Sequence, residues 1–71
     1  MELLTAMCWS NAYPLIVFVS ENKGKISIDE LEFKMMLDKI DILERLDFLQ
    51  EKGVPLEFDK NKNIIKWVKR T

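Results

Sequence analysis

The sequence predicts an α+β domain, mainly α: three helices and a C-terminal β-hairpin, with an extra short helix at the N-terminus. Three observations carry that expectation. Apolar residues recur at helical spacing through most of the first 52 positions, with one slip of phase near Asp38. Ser27 and Asp38 stand where helix N-caps belong. After Gly53 the pattern changes to apolar–polar alternation, interrupted by the polar run Asp59-Lys60-Asn61-Lys62-Asn63.

With 71 residues, 48% of them hydrophobic and 32% charged, the composition is that of one globular domain over 1–71 and not of a disordered chain. A domain this short buries a modest share of its surface, so a partner or a second copy would help it.

Taken in order, Leu3, Leu4, Met7 and Cys8 fall near one face of a helix over residues 2–9. Ser10 and Asn11 break or cap it, and residues 1–11 form a helical extension that is a candidate dimer contact. Pro14 suits the first turn of a second helix over about 13–21, where its missing N–H costs nothing. A strand is the rival reading there, because Ile16, Val17 and Val19 favour strands. Gly24 terminates the segment.

Lys25-Ile26-Ser27 suits a brief strand. Ser27-Ile28-Asp29-Glu30 reads as a capping box, in which the Ser27 hydroxyl accepts from the Glu30 amide and Glu30 reaches back to the Ser27 amide. Ile28, Leu31 and Met35 then follow at helical spacing. Continued, that stripe meets Asp38 and Lys39, and a new one begins at Ile42, Leu43, Leu46 and Leu49. Two helices joined by a tight turn at Met36-Leu37-Asp38, with Asp38 capping the second, explain the slip. A single bent helix is the rival. Gly53 closes the second helix. Val54, Leu56 and Phe58 alternate as a strand, the polar run turns, and residues 64–68 return.

Several chemistries are excluded. There is no His and one Cys, Cys8, so neither a Cys/His zinc site, nor an internal disulfide, nor a Ser-His or Cys-His pair can be built. No catalytic motif, metal site or cofactor is expected. The lone Cys suits a core position in a reducing compartment. The early apolar run lacks a basic leader and is broken by Asn11 and Pro14, so the expectation is a cytoplasmic protein that does not enter a membrane.

The segments Ile26-Ser27-Ile28-Asp29-Glu30-Leu31 and Ile42-Leu43-Glu44-Arg45-Leu46-Asp47-Phe48-Leu49-Gln50-Glu51-Lys52-Gly53-Val54-Pro55-Leu56 resemble the winged helix-turn-helix family. The likeness covers about residues 13–68. It departs from the family in its turn, where Met36-Leu37 replaces the frequent glycine. The resemblance implies that the helix over about 39–52 enters a DNA groove and that the hairpin, with Lys60 and Lys62 at its tip, is a wing on the backbone.

Charge divides the chain along that line. Residues 27–58 carry nine acids against four bases, and residues 59–71 carry five bases against one acid. Two functions are therefore carried forward. The first is a small DNA-binding transcriptional regulator, with Lys60, Lys62, Lys66, Lys69 and Arg70 on phosphates and Lys39 and Arg45 assisting. The second is a protein-interaction module of a larger assembly, presenting Ile40, Glu44, Asp47 and Phe48 from the acidic helix face; packing of Phe48 and Ile40 on the N-terminal segment is the rival reading of those two. A homodimer through residues 1–9 fits either. Trp9 and Trp67 are read as core or interface aromatics.

Overall fold

Pro14 is where the chain first departs from its local signals. The computed structural model describes residues 2–68, with side chains from Trp9 onward. In it one helix, α1, runs from Glu2 to Glu21 with Pro14 inside. The expected separate helix over 2–9 and the break at Ser10-Asn11 are thereby corrected: there are three helices among the described residues, and the extension is the first half of α1. Proline removes the bond to the Ser10 carbonyl at a cost of about 3 kcal/mol in a helix interior. Ser10 is exposed, however, so water can reach that carbonyl. On the opposite side Ala12, Leu15 and Val19 are fully buried. Burying Leu15 and Val19, at about 2 kcal/mol each, outweighs the proline. Of the dimer contact expected at residues 1–9, Met1 and the side chains of 2–8 lie outside the described residues, and Trp9 packs within the chain on Phe48.

At the end of α1, Lys23 and Gly24 both take positive φ, 65° and 87°. The Gly24 N–H returns to the Val19 carbonyl at 2.9 Å, the closure expected of a helix C-terminus. Glycine is favoured at 24 by its φ of 87° and because a Cβ there would stand 3.3 Å from Trp67 Cδ1, a tight contact.

Strand β1 (Lys25–Ser27) leads directly into α2 (Ile28–Met35). The Ser27 hydroxyl accepts from the Glu30 N–H at 3.1 Å, as the capping box requires. The reciprocal half is absent: Glu30 turns instead to Lys34, 3.2 Å away and one helical turn on. Helix α2 ends at Met36, which adopts the left-handed conformation (φ 55°, ψ 44°). Asp38 then caps α3 (Lys39–Glu51), its carboxylate accepting from the Asp41 N–H at 3.1 Å. The phase slip is thus a real turn between two helices. Beyond α3, Gly53 takes φ 88°. The Val54 N–H bonds the Leu49 carbonyl and the Gly53 N–H that of Gln50, each at 3.0 Å.

Strands β2 (Leu56–Asp59) and β3 (Ile64–Trp67) form the hairpin. The strand begins two residues later than the alternation suggests, since Pro55 has no N–H for a ladder. Strand β1 pairs with the other edge of β3, so the antiparallel sheet has the order β1-β3-β2. Ile26, Ile65 and Phe58 lie opposite one another, as do Leu56 and Trp67. This face closes on the helices. Lys25, Lys66 and Glu57 share the other face. The core joins Leu15 and Val19 to Ile26, Ile28, Leu31, Ile42, Leu46, Leu49, Leu56 and Ile65. Among the described residues, no polar or charged side chain is buried in it.

Candidate interaction surfaces

At about 100° per residue, α3 divides into three faces. Ile42, Leu46 and Leu49 point into the core. A second face meets α1. There the Phe48 ring packs edge-on against Trp9, with centroids 5.3 Å apart and planes at 81°, and Lys52 Nζ sits 5.4 Å from its centre. Of the two positions open to Phe48, an outward partner patch or packing on the N-terminal segment, it takes the second and is half-buried against α1. An aromatic at that position gains more from Trp9 than from solvent.

Arg45 shares this second face. Its Nε donates to the Asn11 carbonyl at 3.2 Å and its Nη1 to the Asp41 carbonyl at 3.1 Å. This guanidinium, expected to assist on phosphate, ties α3 to α1. Gln50 makes a comparable tie to the sheet, donating to the Leu56 carbonyl at 2.9 Å.

The third face of α3 points to solvent. It carries Ile40, Glu44, Asp47 and Glu51, all exposed, in a stripe about 60° wide on a helical wheel. No cation stands in this stripe. Three large apolar side chains are also exposed between positions 33 and 40; sequence reasoning placed Ile40 outward but passed over Phe33 and Met36. Phe33 is 84% exposed, Met36 88% and Ile40 71%. The signal was present, because Phe33 falls off the Ile28–Leu31–Met35 stripe and so must face away from the core. Residues 28–51 hold eight acids and three bases. All three bases are engaged: Lys34 with Glu30 and over Phe18, Lys39 over the Phe58 ring at 5.2 Å, and Arg45 as above.

The hairpin is the opposite in character. Lys60 and Lys62 are exposed at its tip. Asp59 shapes the turn, its Oδ1 accepting from the Asn61 N–H at 3.0 Å and the Lys62 N–H at 3.2 Å. The Lys62 N–H bond, reinforced by the Asn61 N–H and the charges of Lys66 and Lys62, holds the Asp59 carboxyl below its ordinary value of 3.8 despite some desolvation. Lys66 Nζ stands 3.8 Å from Asp59 Oδ2, and its strand neighbours are Glu57 and Lys25. Lys69 and Arg70 lie outside the described residues.

Among the described residues, no cluster of His, Cys, Asp or Glu is arranged to hold a metal ion, and no helix is long and apolar enough to cross a membrane. Comparison with protein-family models, curated proteins and solved structures gives no match.

Proposed function

We propose that this chain is a winged-helix protein-interaction module that docks onto a partner of a larger assembly through the outward face of α2 and α3. The observation that carries this reading is the exposed stripe Ile40, Glu44, Asp47 and Glu51, which occupies the face a groove-reading helix would present to DNA. A carboxylate about 4 Å from a phosphate costs roughly 1 kcal/mol even in water. Three of them would weaken binding by roughly a hundredfold before any contact was made. A protein surface carrying cations reverses that sign. The two helices across a tight turn, followed by a hairpin, support the winged-helix reading. The lone cysteine supports a cytoplasmic setting.

A second reading rests on a separate observation, the exposed Lys60 and Lys62 at the hairpin tip. They suit phosphate contact by a DNA-binding regulator that uses its wing alone. Two neutralised phosphates would give a log–log salt slope near −2.

Titration of duplex DNA across a salt series separates the two. The interaction reading expects weak, sequence-independent binding, abolished by Lys60→Ala with Lys62→Ala and strengthened by Glu44→Lys with Asp47→Lys. Tight, sequence-dependent binding that Lys60→Ala with Lys62→Ala weakens would overturn it in favour of the wing-only regulator.

A further inference from the structure

The face that α2 and α3 leave open has two components whose geometry is informative. Phe33, Met36 and Ile40 are each more than two-thirds exposed within eight consecutive residues, whereas single exposed apolar residues are the norm on a monomer surface. Ile40 also begins the acidic stripe, so the run of exposed apolar residues leads into the carboxylates at that position. Positions 40, 44, 47 and 51 are spaced four, three and four apart. That is the spacing of a seam along which a second helix can lie at about 20°, and it extends roughly 16 Å, three turns of helix.

We infer that the occupant of this face is a basic amphipathic helix of a partner protein, seated with an apolar residue on Phe33, Met36 and Ile40 and with its cations over Glu44, Asp47 and Glu51. The inference rests on the interaction reading and adds the chemistry of the partner. Charge complementarity selects this occupant. Residues 28–51 have a net charge of −5, eight acids against three bases, and those three bases are held by Glu30, by aromatic rings and by backbone carbonyls. The carboxylates of the stripe have no cation from their own helix pair. A second copy of this chain is a poorer fit. Of its exposed lysines, Lys23, Lys25, Lys60 and Lys62 lie in turns or a strand, and Lys34, Lys39 and Lys52, on or at the end of a helix, stand against Glu30 or aromatic rings.

The test uses a synthetic helical peptide of leucine on one face and lysine flanking it, titrated into the isotopically labelled full chain and followed by amide chemical shifts. The same peptide with glutamate in place of lysine is the control. The expected result is a set of shift changes confined to residues 33–51, with affinity reduced at least about tenfold by Ile40→Ser or by Glu44→Lys with Asp47→Lys, and unchanged by Lys60→Ala with Lys62→Ala. These side chains are exposed, so the variants should melt as the parent does, and Ile40→Thr provides a milder second variant.

Equal binding of the glutamate peptide, shift changes centred on the hairpin, or no shift changes would each overturn the inference. So would a doubling of solution mass abolished by Phe33→Ser, which would make a second copy the occupant. A cellular partner released by Glu44→Lys with Asp47→Lys but lacking any basic helix would overturn the inference while leaving the docking function in place. Failure of the docking function itself is read separately, from the DNA titration.

Discussion

Met36 supplies a perturbation whose sign runs against ordinary intuition. It occupies the turn between α2 and α3 in the left-handed conformation, φ 55° and ψ 44°, where an L side chain costs about 1–2 kcal/mol. Its side chain is 88% exposed, so truncation forfeits little packing. Replacement by glycine removes the backbone strain but adds freedom to the unfolded chain, which returns roughly 0.5–1 kcal/mol of the gain. The balance for Met36→Gly is a stabilisation of about 0.5–1 kcal/mol. In a domain of this size that raises the melting temperature by roughly 2–8 °C. Met36→Ala is the control. It removes the same side chain but keeps the strain, and should stay within about 0.5 kcal/mol of the parent. Thermal and urea unfolding followed by circular dichroism reads both. A glycine variant that melts at or below the alanine variant would refute the assignment of strain to this turn. Met36→Gly should at the same time weaken binding of the leucine–lysine peptide, because a more stable fold has lost part of its apolar anchor.

Three further outcomes follow from local geometry. Ser27→Ala and Asp38→Ala should each lower stability by about 1 kcal/mol, since each removes the acceptor for one helix-end amide, and the two losses should add in the double variant; urea midpoints check this. Gly24→Ala should cost more than Gly53→Ala although both have φ near +88°, because only at 24 does the new methyl approach Trp67; tryptophan emission should shift in the first variant alone. Asp59→Ala should lower the melting temperature at neutral pH, and the difference from the parent should shrink on acidification. The folded-state pKa of Asp59 is depressed, so its contribution is fully present above the ordinary value of 3.8 and disappears as pH falls through the lower folded value.

The elements with their own local chemistry were legible in the sequence. Ser27, Asp38 and Gly53 act through hydrogen bonds or backbone angles that reach only a few residues, and the structure uses all three as expected. The continuity of α1 through Pro14 was not legible, because the proline penalty is local while its compensation, burial of Ala12, Leu15 and Val19, comes from α3 and the sheet. The candidate site divides in the same way. Glu44, Asp47 and Ile40 lie outward as their spacing implies. The contacts of Phe48 and Arg45 could not be chosen from spacing alone, because their partners, Trp9 and the Asn11 carbonyl, are more than thirty positions away. The pairing of Lys25 with Lys66 is likewise a consequence of β1 joining β3, which no local pattern announces.

The most direct measurement of what α3 presents to its surroundings is the change in duplex DNA affinity on Glu44→Lys with Asp47→Lys, taken at low salt beside the parent. If that helix face is built for a cationic protein surface, the parent binds weakly and the substitution tightens binding, as expected when two repulsive charges become attractive. A parent that binds tightly, and a substitution that loosens it, would mean that those carboxylates read bases and that the docking account is wrong.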